Sequence, residues 1–195
     1  LHDAGADFAV WCHYKYVNAG PGAVAGCFVH QRHGNAGLSR MAGWWGHEAS
    51  TRFRMAPEFV PAAGAEGWQL SNPPVLAMAP LRASLEQFER AGGMAALRAK
   101  SERLTGLLER LIHERLADTL QVVTPADPQR RGCQLSLRVT GGRERGRALF
   151  EHLRERGFLG DWREPDVIRI APVPLYNRYA EVLALVEEVE RWRSA

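Results

Sequence analysis

Lysine is almost absent from this chain. Of its 25 lysine and arginine residues only two are lysines, Lys15 and Lys100. An amine can lose its proton and attack a carbonyl group, whereas a guanidinium keeps its proton in proteins. A lysine in a chain that otherwise uses arginine therefore indicates a need for an amine. Lys100 lies in the charged helical stretch 97–102, where we expect a solvated surface residue.

Cysteine and long apolar runs are also scarce. Cys12, Cys27 and Cys133 are the only cysteines and have no C-x-x-C spacing, which predicts reduced thiols on apolar strands of a cytoplasmic protein. No apolar run reaches the roughly 18 residues of a membrane span, and no signal-peptide pattern is present. Phosphate-binding glycine motifs and the nucleophile elbow of serine hydrolases are missing as well. These absences predict that the chain has no membrane partner.

Charge of one sign is not concentrated anywhere. The formal net charge is only +3, and arginines alternate with glutamates at 143–145 and 154–156. Such mixing is typical of solvated helix faces and predicts no nucleic-acid partner. His30 and His33 are close enough to share a metal ion, but a metal site needs three or four ligands and none accompanies them. We therefore predict no metal site.

The first part of the chain contains two apolar runs and then a long irregular segment. Residues 7–12 and 23–29 are predicted to be strands buried on both faces, separated by a turn at 20–22. Two buried strands this early, in a chain that starts at Leu1 instead of methionine, predict a fragment whose other sheet strands lie elsewhere. Residues 30–74 are rich in glycine, proline and aromatics and show no regular pattern.

The second part has the alternation of an α/β domain. A capping-box pattern at 84–87 and an apolar stripe from Leu104 to Ile112 predict one or two helices over 84–116, with a break at Gly92 and Gly93. The remaining elements are predicted as strands 121–124, 134–139 and 167–170 and helices 145–156, ended by Gly157, and 179–193. We place the boundary between the two domains near 75–84, which gives domains 1–80 and 81–195.

Six polar residues stand out from apolar or glycine- and proline-rich surroundings. They are Tyr14, Lys15, Trp44, His47, Asn72 and Arg169. Burial among aromatic rings would lower the pKa of the Lys15 amine and prepare it for Schiff-base chemistry, although its stem could equally lie on apolar surface with its head in water. Arg169, inside strand 167–170, is either a planar fork for a substrate carboxylate or a residue on the solvent face of an edge strand.

Five segments together resemble the kynureninase family: 1–22, 43–55, 71–74, 131–136 and 168–177. The resemblance implies an α/β fold of the fold-type I class of pyridoxal phosphate (PLP) enzymes. Residues 1–80 would end the large PLP-binding domain, and 81–195 would form the small C-terminal domain. The implied enzyme is a homodimer that hydrolyses L-kynurenine, and possibly its 3-hydroxy form, to anthranilate and L-alanine. That reaction belongs to tryptophan catabolism and NAD biosynthesis.

The resemblance also implies a role for each candidate residue. Lys15 matches the lysine that bonds covalently to PLP, and Tyr14 matches a tyrosine that reaches the cofactor phosphate and assists proton transfer. Trp44 and Asn72 match cofactor-site positions, and Trp44 is expected to reach the cofactor of the partner subunit. Asn72 also matches a substrate-site position.

Arg169 matches the arginine that binds the α-carboxylate of the substrate, and His47 is expected to support substrate binding. The family's phosphate-binding loop, ring-stacking aromatic and pyridinium-binding aspartate precede the lysine by more residues than this chain has. We therefore expect the isolated chain to bind PLP poorly. The alternatives are another fold-type I enzyme, such as a cysteine desulfurase or selenocysteine lyase, or an inactive C-terminal dimerisation module.

Overall fold

A computed structural model of the chain describes residues 1–34 and 36–194. The chain divides into two compact units, Leu1–Gln87 and Phe88–Ala195, which we call unit 1 and unit 2. None of the helices in the described ranges is long and apolar enough to cross a membrane.

Unit 1 contains one antiparallel ribbon, made of β1 (Phe8–Trp11) and β2 (Gly26–Val29). Both strands are shorter than the predicted 7–12 and 23–29, and the expectation that both faces are buried is wrong. Val10, for example, is 83% exposed. Burial of both faces of a strand needs a further layer of structure on each side of its sheet, and a two-stranded ribbon supplies none by itself. The irregular segment 30–74 is confirmed, with single 3-10 turns at Gln31–His33, Arg52–Arg54 and Gly64–Trp68.

The first long helix, α1, covers Val75–Arg90 and includes Pro80. The capping box predicted at 84–87 is therefore wrong, because Ser84 lies in the middle of this helix. Its side chain is buried and its hydroxyl donates to the carbonyl of Val17. The predicted break at Gly92 and Gly93 is confirmed, since both glycines have positive φ and the next helix begins at the second of them.

Unit 2 is a four-stranded antiparallel sheet with helices packed against it. Its strands are β3 (Leu120–Val122), β4 (Leu135–Val139), β5 (Asp161–Arg163) and β6 (Val167–Ile170), in the order β3-β4-β6-β5. Its helices are α2 (Gly93–Arg115), α3 (Arg143–Glu155) and α4 (Tyr179–Ser194). Gly157 follows α3 with φ of 84°, as the predicted end of that helix requires. Strand β5 was not predicted.

The core of unit 2 lies between the sheet and the helices. The predicted stripe on α2 supplies Leu104, Leu108 and Ile112 to this core, and Leu107 and Leu111 pack at its margin. Helix α4 packs its apolar side chains on this core, with Trp192 partly buried at the margin, and the sheet contributes Leu135, Leu137 and Ile168. Because β6 lies inside the sheet, the interpretation of Arg169 as an edge-strand residue is wrong.

Lys100 and the cysteines also differ in part from expectation. Lys100 is half-buried on α2 and its amine donates to the carbonyl of Pro174 over 2.7 Å, so it is not a solvated surface lysine. Cys12, Cys27 and Cys133 are free thiols, as expected, but only Cys27 lies within a strand. Burial raises the pKa of the Cys133 thiol.

Candidate active site

Lys15 lies in a tight turn that follows β1. The amide of Asn18 donates to the carbonyl of Lys15 over 2.9 Å, and the amide of Ala19 donates to the carbonyl of His13 over 3.0 Å. Asn18 has the left-handed backbone with φ of 58°, a conformation that asparagine tolerates better than most residues. Two backbone hydrogen bonds thus close the turn around the lysine.

The His13 imidazole links this turn to β1 and to the segment just before β2. The indole Nε1 of Trp11 donates to Nε2 of His13 over 2.7 Å, and Nδ1 of His13 lies 2.6 Å from the carbonyl oxygen of Val24. An indole nitrogen can only donate, so Nε2 accepts and Nδ1 carries the hydrogen that Val24 receives. The Trp11 ring lies so close to Gly26 that a Cβ there would sit 2.6 Å from it.

Helix α1 holds the turn from a third side. The hydrogen bond from Ser84 reaches Val17, two residues after Lys15, and both the serine and neighbouring Ala19 are buried. The backbone on either side of Lys15 is therefore attached to the ribbon and to a helix.

The Lys15 side chain is exposed, which corrects the expectation that it is packed among aromatic rings. Its Nζ lies 5.7 Å from the centre of the Tyr14 ring, and the Tyr14 and Tyr16 rings are themselves about half exposed. Within the described ranges, the amine has neither an ion-pair nor a hydrogen-bond partner. The amine is therefore sterically accessible to a carbonyl compound, with which a lysine can form a Schiff base.

Trp44 and His47 share a pocket of unit 1 of about 240 Å³, which Arg52 and Phe59 also line. Trp44 is exposed and meets the ring of Phe53 edge-on, with centroids 5.7 Å apart. His47 is half-buried, and its Nε2 lies 3.0 Å from the hydroxyl of Thr51. The structure thus brings these two predicted residues together.

Arg52 is a residue of this pocket that the sequence did not indicate. Its guanidinium lies 4.3 Å from the centre of the Trp45 ring and donates to the carbonyls of Trp45 and His47. It therefore fixes the backbone that carries Trp44 and His47. The closely spaced tryptophans could have pointed to it, because arginine often stacks on such rings.

Asn72 lies in the exposed segment before α1, where its side-chain oxygen accepts a hydrogen bond from the hydroxyl of Ser71 over 3.1 Å. It does not line the pocket of Trp44 and His47. The asparagine amide group keeps its two N–H donors for other partners.

Arg169 belongs to unit 2, whereas the other five candidates belong to unit 1. It lies opposite Asp161 in the pairing of β5 with β6, and its Nε donates to Oδ2 of that aspartate over 2.6 Å. Its Nη2 donates to the same oxygen. The side chain is 29% exposed. The predicted fork for a carboxylate is thus a half-buried arginine that already holds one carboxylate of the protein.

The histidines considered as metal ligands have other partners. His33 lies 2.7 Å from Oδ1 of Asp7, and His30 accepts a hydrogen bond from the amide of Arg32. Hydrogen bonds from His33 and from Arg32 lower the pKa of Asp7. In the ranges 1–34 and 36–194, no three histidine, cysteine or acidic side chains gather in a way that could hold a metal ion.

Comparison with known proteins identifies relatives of the whole chain. Residues 97–189 match the family described as the kynureninase C-terminal domain. The chain is 75% identical over 195 residues to a kynureninase of Xanthomonas euvesicatoria and 73% identical to one of Xanthomonas axonopodis. In both cases the match covers 100% of this chain and 46% of the relative. The chain therefore spans about half the length of the curated relatives it matches.

Solved structures with the same fold include cysteine desulfurases. The match with the enzyme from Escherichia coli covers 97% of this chain and 46% of the enzyme's chain, with a TM-score of 0.70 and 19% sequence identity. The match with the enzyme from Thermococcus onnurineus covers 96% of this chain and 47% of the enzyme's chain, with a TM-score of 0.68 and 14% sequence identity. At such low identity the likeness concerns the fold alone. It confirms the expected fold class, that of fold-type I PLP enzymes.

Proposed function

Because this chain belongs to the kynureninase family and matches the C-terminal part of those proteins from end to end, we propose that it takes part in the hydrolysis of L-kynurenine. The reaction breaks the bond between Cβ and Cγ and yields anthranilate and L-alanine; 3-hydroxykynurenine is a second substrate of the same kind. The observation that carries the proposal is the 75% identity along the whole chain, which includes the turn around Lys15.

The Lys15 turn fits covalent attachment of pyridoxal phosphate. Its amine is exposed and free of carboxylates, and its backbone is held by the ribbon and by α1. The phosphate-binding loop, the stacking aromatic and the acidic partner of the ring nitrogen are expected outside this chain. The chain would therefore supply the covalent lysine and a share of the contacts.

Pyridoxal phosphate, when bound, withdraws electrons from the bonds at the α-carbon of an amino-acid substrate. Lys15 would hold the cofactor covalently, and its amine would act as the base for the α-proton of the substrate. Tyr14 is the neighbouring group whose hydroxyl would bind the cofactor phosphate and assist proton transfer. The rigid backbone around Lys15 keeps both groups in position for these steps.

Arg169 binds the α-carboxylate of the substrate. A guanidinium offers two parallel N–H donors to a carboxylate, which fixes orientation as well as position. Because the α-carbon bonds must be aligned with the cofactor ring as they break, this orientation contributes to catalysis and not only to affinity.

Trp44, Asn72 and His47 complete the proposed site. Trp44 and Asn72 contact the cofactor, with Trp44 reaching the cofactor of the partner subunit, and Asn72 and His47 contact the substrate. The exposed ring of Trp44 and the free amide donors of Asn72 support these roles. Arg52 holds the Trp44–His47 backbone in place.

The wider setting follows from the same family membership. We propose a homodimer that acts in the cytoplasm in tryptophan catabolism and NAD biosynthesis, without nucleic-acid or membrane partners. Residues 1–80 would belong to its large PLP-binding domain and 81–195 to its small domain.

Anthranilate fluorescence tests the proposal in the full-length, PLP-loaded enzyme. L-kynurenine should give anthranilate in the wild type, and Lys15→Ala should abolish its formation. Lys100→Ala is the matched control and should remain active. Release of sulfide from cysteine, with no anthranilate from L-kynurenine, would instead favour a cysteine desulfurase.

A further inference from the structure

Asp161 accepts hydrogen bonds from one complete edge of the Arg169 guanidinium. Both Nε and Nη2 of Arg169 donate to Oδ2 of Asp161, and the two residues are direct cross-strand partners. The other terminal nitrogen, Nη1, has no hydrogen-bond partner in the described part of the chain. The arginine therefore has one occupied edge and one edge, Nη1 with Nη2, that can still bind a carboxylate.

The backbone of Arg169 is fixed independently of this contact. Strand β6 lies between β4 and β5, and Arg169 pairs with Ser136 on one side and with Asp161 on the other. Its neighbour Ile168 is fully buried in the core. What remains variable is the torsion of the long arginine side chain, and the contact with Asp161 restricts that torsion.

A second arginine balances the charge of Asp161. Nε of Arg163 lies 3.0 Å from the same Oδ2, and the Arg163 side chain is 60% exposed. Two guanidinium groups and one carboxylate give the cluster one net positive charge, which suits a single incoming carboxylate. Without Arg163, the aspartate would repel the substrate carboxylate more strongly.

We infer that Asp161 is a positioning residue for substrate binding: it holds the Nε–Nη2 edge of Arg169 and so directs the Nη1–Nη2 edge to the substrate α-carboxylate. This inference rests on the proposed function of Arg169. It differs from a model of competition, in which the substrate carboxylate displaces Asp161 from the arginine. The two arrangements predict opposite effects when the aspartate loses its charge.

Asp161→Asn tests the inference in the full-length, PLP-loaded enzyme. The amide keeps the size of the side chain but cannot accept two charge-assisted hydrogen bonds as a carboxylate does. The expected result is a rise of about tenfold in KM for L-kynurenine, the size of one charge-assisted hydrogen bond. Asp161→Glu, which keeps the carboxylate, should recover part of that loss.

Kynuramine, the analogue of L-kynurenine without the α-carboxylate, separates positioning from a general structural defect. Its inhibition constant should be the same in Asp161→Asn and in the wild type, because it has no carboxylate for Arg169 to bind. If Asp161→Asn weakens the binding of kynuramine and of L-kynurenine by the same factor, the inference is overturned. A lower KM for L-kynurenine in this variant, which competition predicts, would overturn it as well.

Two further variants keep the test decisive. Asp166→Asn changes an aspartate in the turn between β5 and β6, which pairs with Arg138 at 2.8 Å, and should leave KM unchanged. Arg163→Gln alters only an exposed side chain and covers the case in which Asp161→Asn does not fold. It should weaken the binding of L-kynurenine relative to that of kynuramine by a smaller factor than Asp161→Asn does. An unchanged ratio of KM for L-kynurenine to the inhibition constant of kynuramine would contradict the charge argument.

The same measurements separate the role of Asp161 from the proposed function. A wild-type enzyme that does not act on L-kynurenine would refute the proposed function itself. An active wild type, with an Asp161→Asn variant whose KM is unchanged, would refute only the role of Asp161.

Discussion

At the scale of single residues, Arg169 is the side chain that the proposed function assigns to the α-carboxylate of the substrate. Its planar fork already binds one carboxylate, that of Asp161, through Nε and Nη2. A lysine at this position would keep the charge, but it would lose the fixed two-donor geometry. The Asp161 contact would change at the same time, because a single ammonium cannot serve both carboxylates in the same directions.

Arg169→Lys should raise KM for L-kynurenine about 10- to 100-fold, the loss expected when one or two hydrogen bonds to a charged group are removed. Steady-state kinetics of the full-length enzyme measures this. Arg138→Lys is the control, because Arg138 lies on neighbouring β4 and pairs with Asp166 instead. An unchanged KM in Arg169→Lys would contradict the carboxylate role.

The sequence alone singles out Lys15 and Arg169. Lys15 is one of only two lysines in an arginine-rich chain, and Arg169 is a charged residue inside an apolar strand. Their partners are less visible in the sequence. Asp161 precedes Arg169 by eight residues, and only the register of β5 against β6 makes them partners. Burial of Lys15 among aromatic rings, one of the two interpretations of this residue, was wrong for a related reason, since apolar neighbours in sequence do not show which surfaces of a turn are covered.

At the scale of elements, the ribbon of β1 and β2 fixes the turn that carries Lys15. Trp11 lies over Gly26 and donates to His13, which in turn binds the carbonyl of Val24. This chain of contacts needs a residue without a side chain at position 26, because a Cβ there would lie 2.6 Å from the indole.

Gly26→Ala should push the indole away from His13 and loosen the turn. Amide hydrogen exchange over residues 13–19 should become faster, as local opening costs less free energy there. Gly37→Ala serves as the control, because a Cβ at Gly37 meets no atom within 4 Å. Identical exchange in wild type and Gly26→Ala would show that the indole does not hold the turn.

Most elements of unit 2 could be predicted from apolar periodicity, because its helices and strands bury one face against a common core. The exceptions are instructive. Strand β5 has only three residues and no apolar alternation, so its pairing with β6 defines it. Helix α1 begins nine residues before Ser84, the predicted helix start. The serine hydroxyl donates to the carbonyl of Val17 and does not cap the helix, a contact that the local sequence pattern could not indicate.

At the scale of the whole molecule, a buried carboxylate joins two helices of unit 2. Glu188 on α4 is only 6% exposed and contacts His152 of α3 at 2.8 Å and Arg191 at 2.6 Å. Arg156 lies 3.3 Å from the same carboxylate. Hydrogen bonds from Arg191 and His152 lower the pKa of Glu188.

A carboxyl group whose pKa is lowered by folding stabilises the protein above its ordinary pKa, and this contribution is lost as the pH falls through the lowered value. Glu188→Gln should therefore melt at a lower temperature than the wild type at pH 7. The two melting temperatures should converge as the pH falls below about 4, where an unfolded glutamate is protonated. Thermal unfolding of the 195-residue chain measures this. Glu187→Gln is the control, and a difference in melting temperature that does not vary with pH would rule out the ionic contribution.

The two units divide the proposed chemistry between them. In the proposed function, unit 1 carries Lys15, which would bind PLP covalently, and unit 2 carries Arg169, which would bind the α-carboxylate of the substrate. The proposed chemistry depends above all on Lys15, whose amine is exposed and has no ion-pair partner in the described ranges, while the amine of Lys100 donates to the carbonyl of Pro174.

Borohydride reduction of the PLP-loaded full-length enzyme, followed by peptide mass spectrometry, tests this claim most directly. Reduction makes the bond between cofactor and lysine permanent, and the arginine-rich sequence lets trypsin separate the peptides of Lys15 and Lys100. We expect the added mass of the reduced cofactor on the Lys15 peptide and its absence from that peptide in Lys15→Ala. A label on Lys100 or on any other lysine, with the Lys15 peptide unmodified, would contradict it.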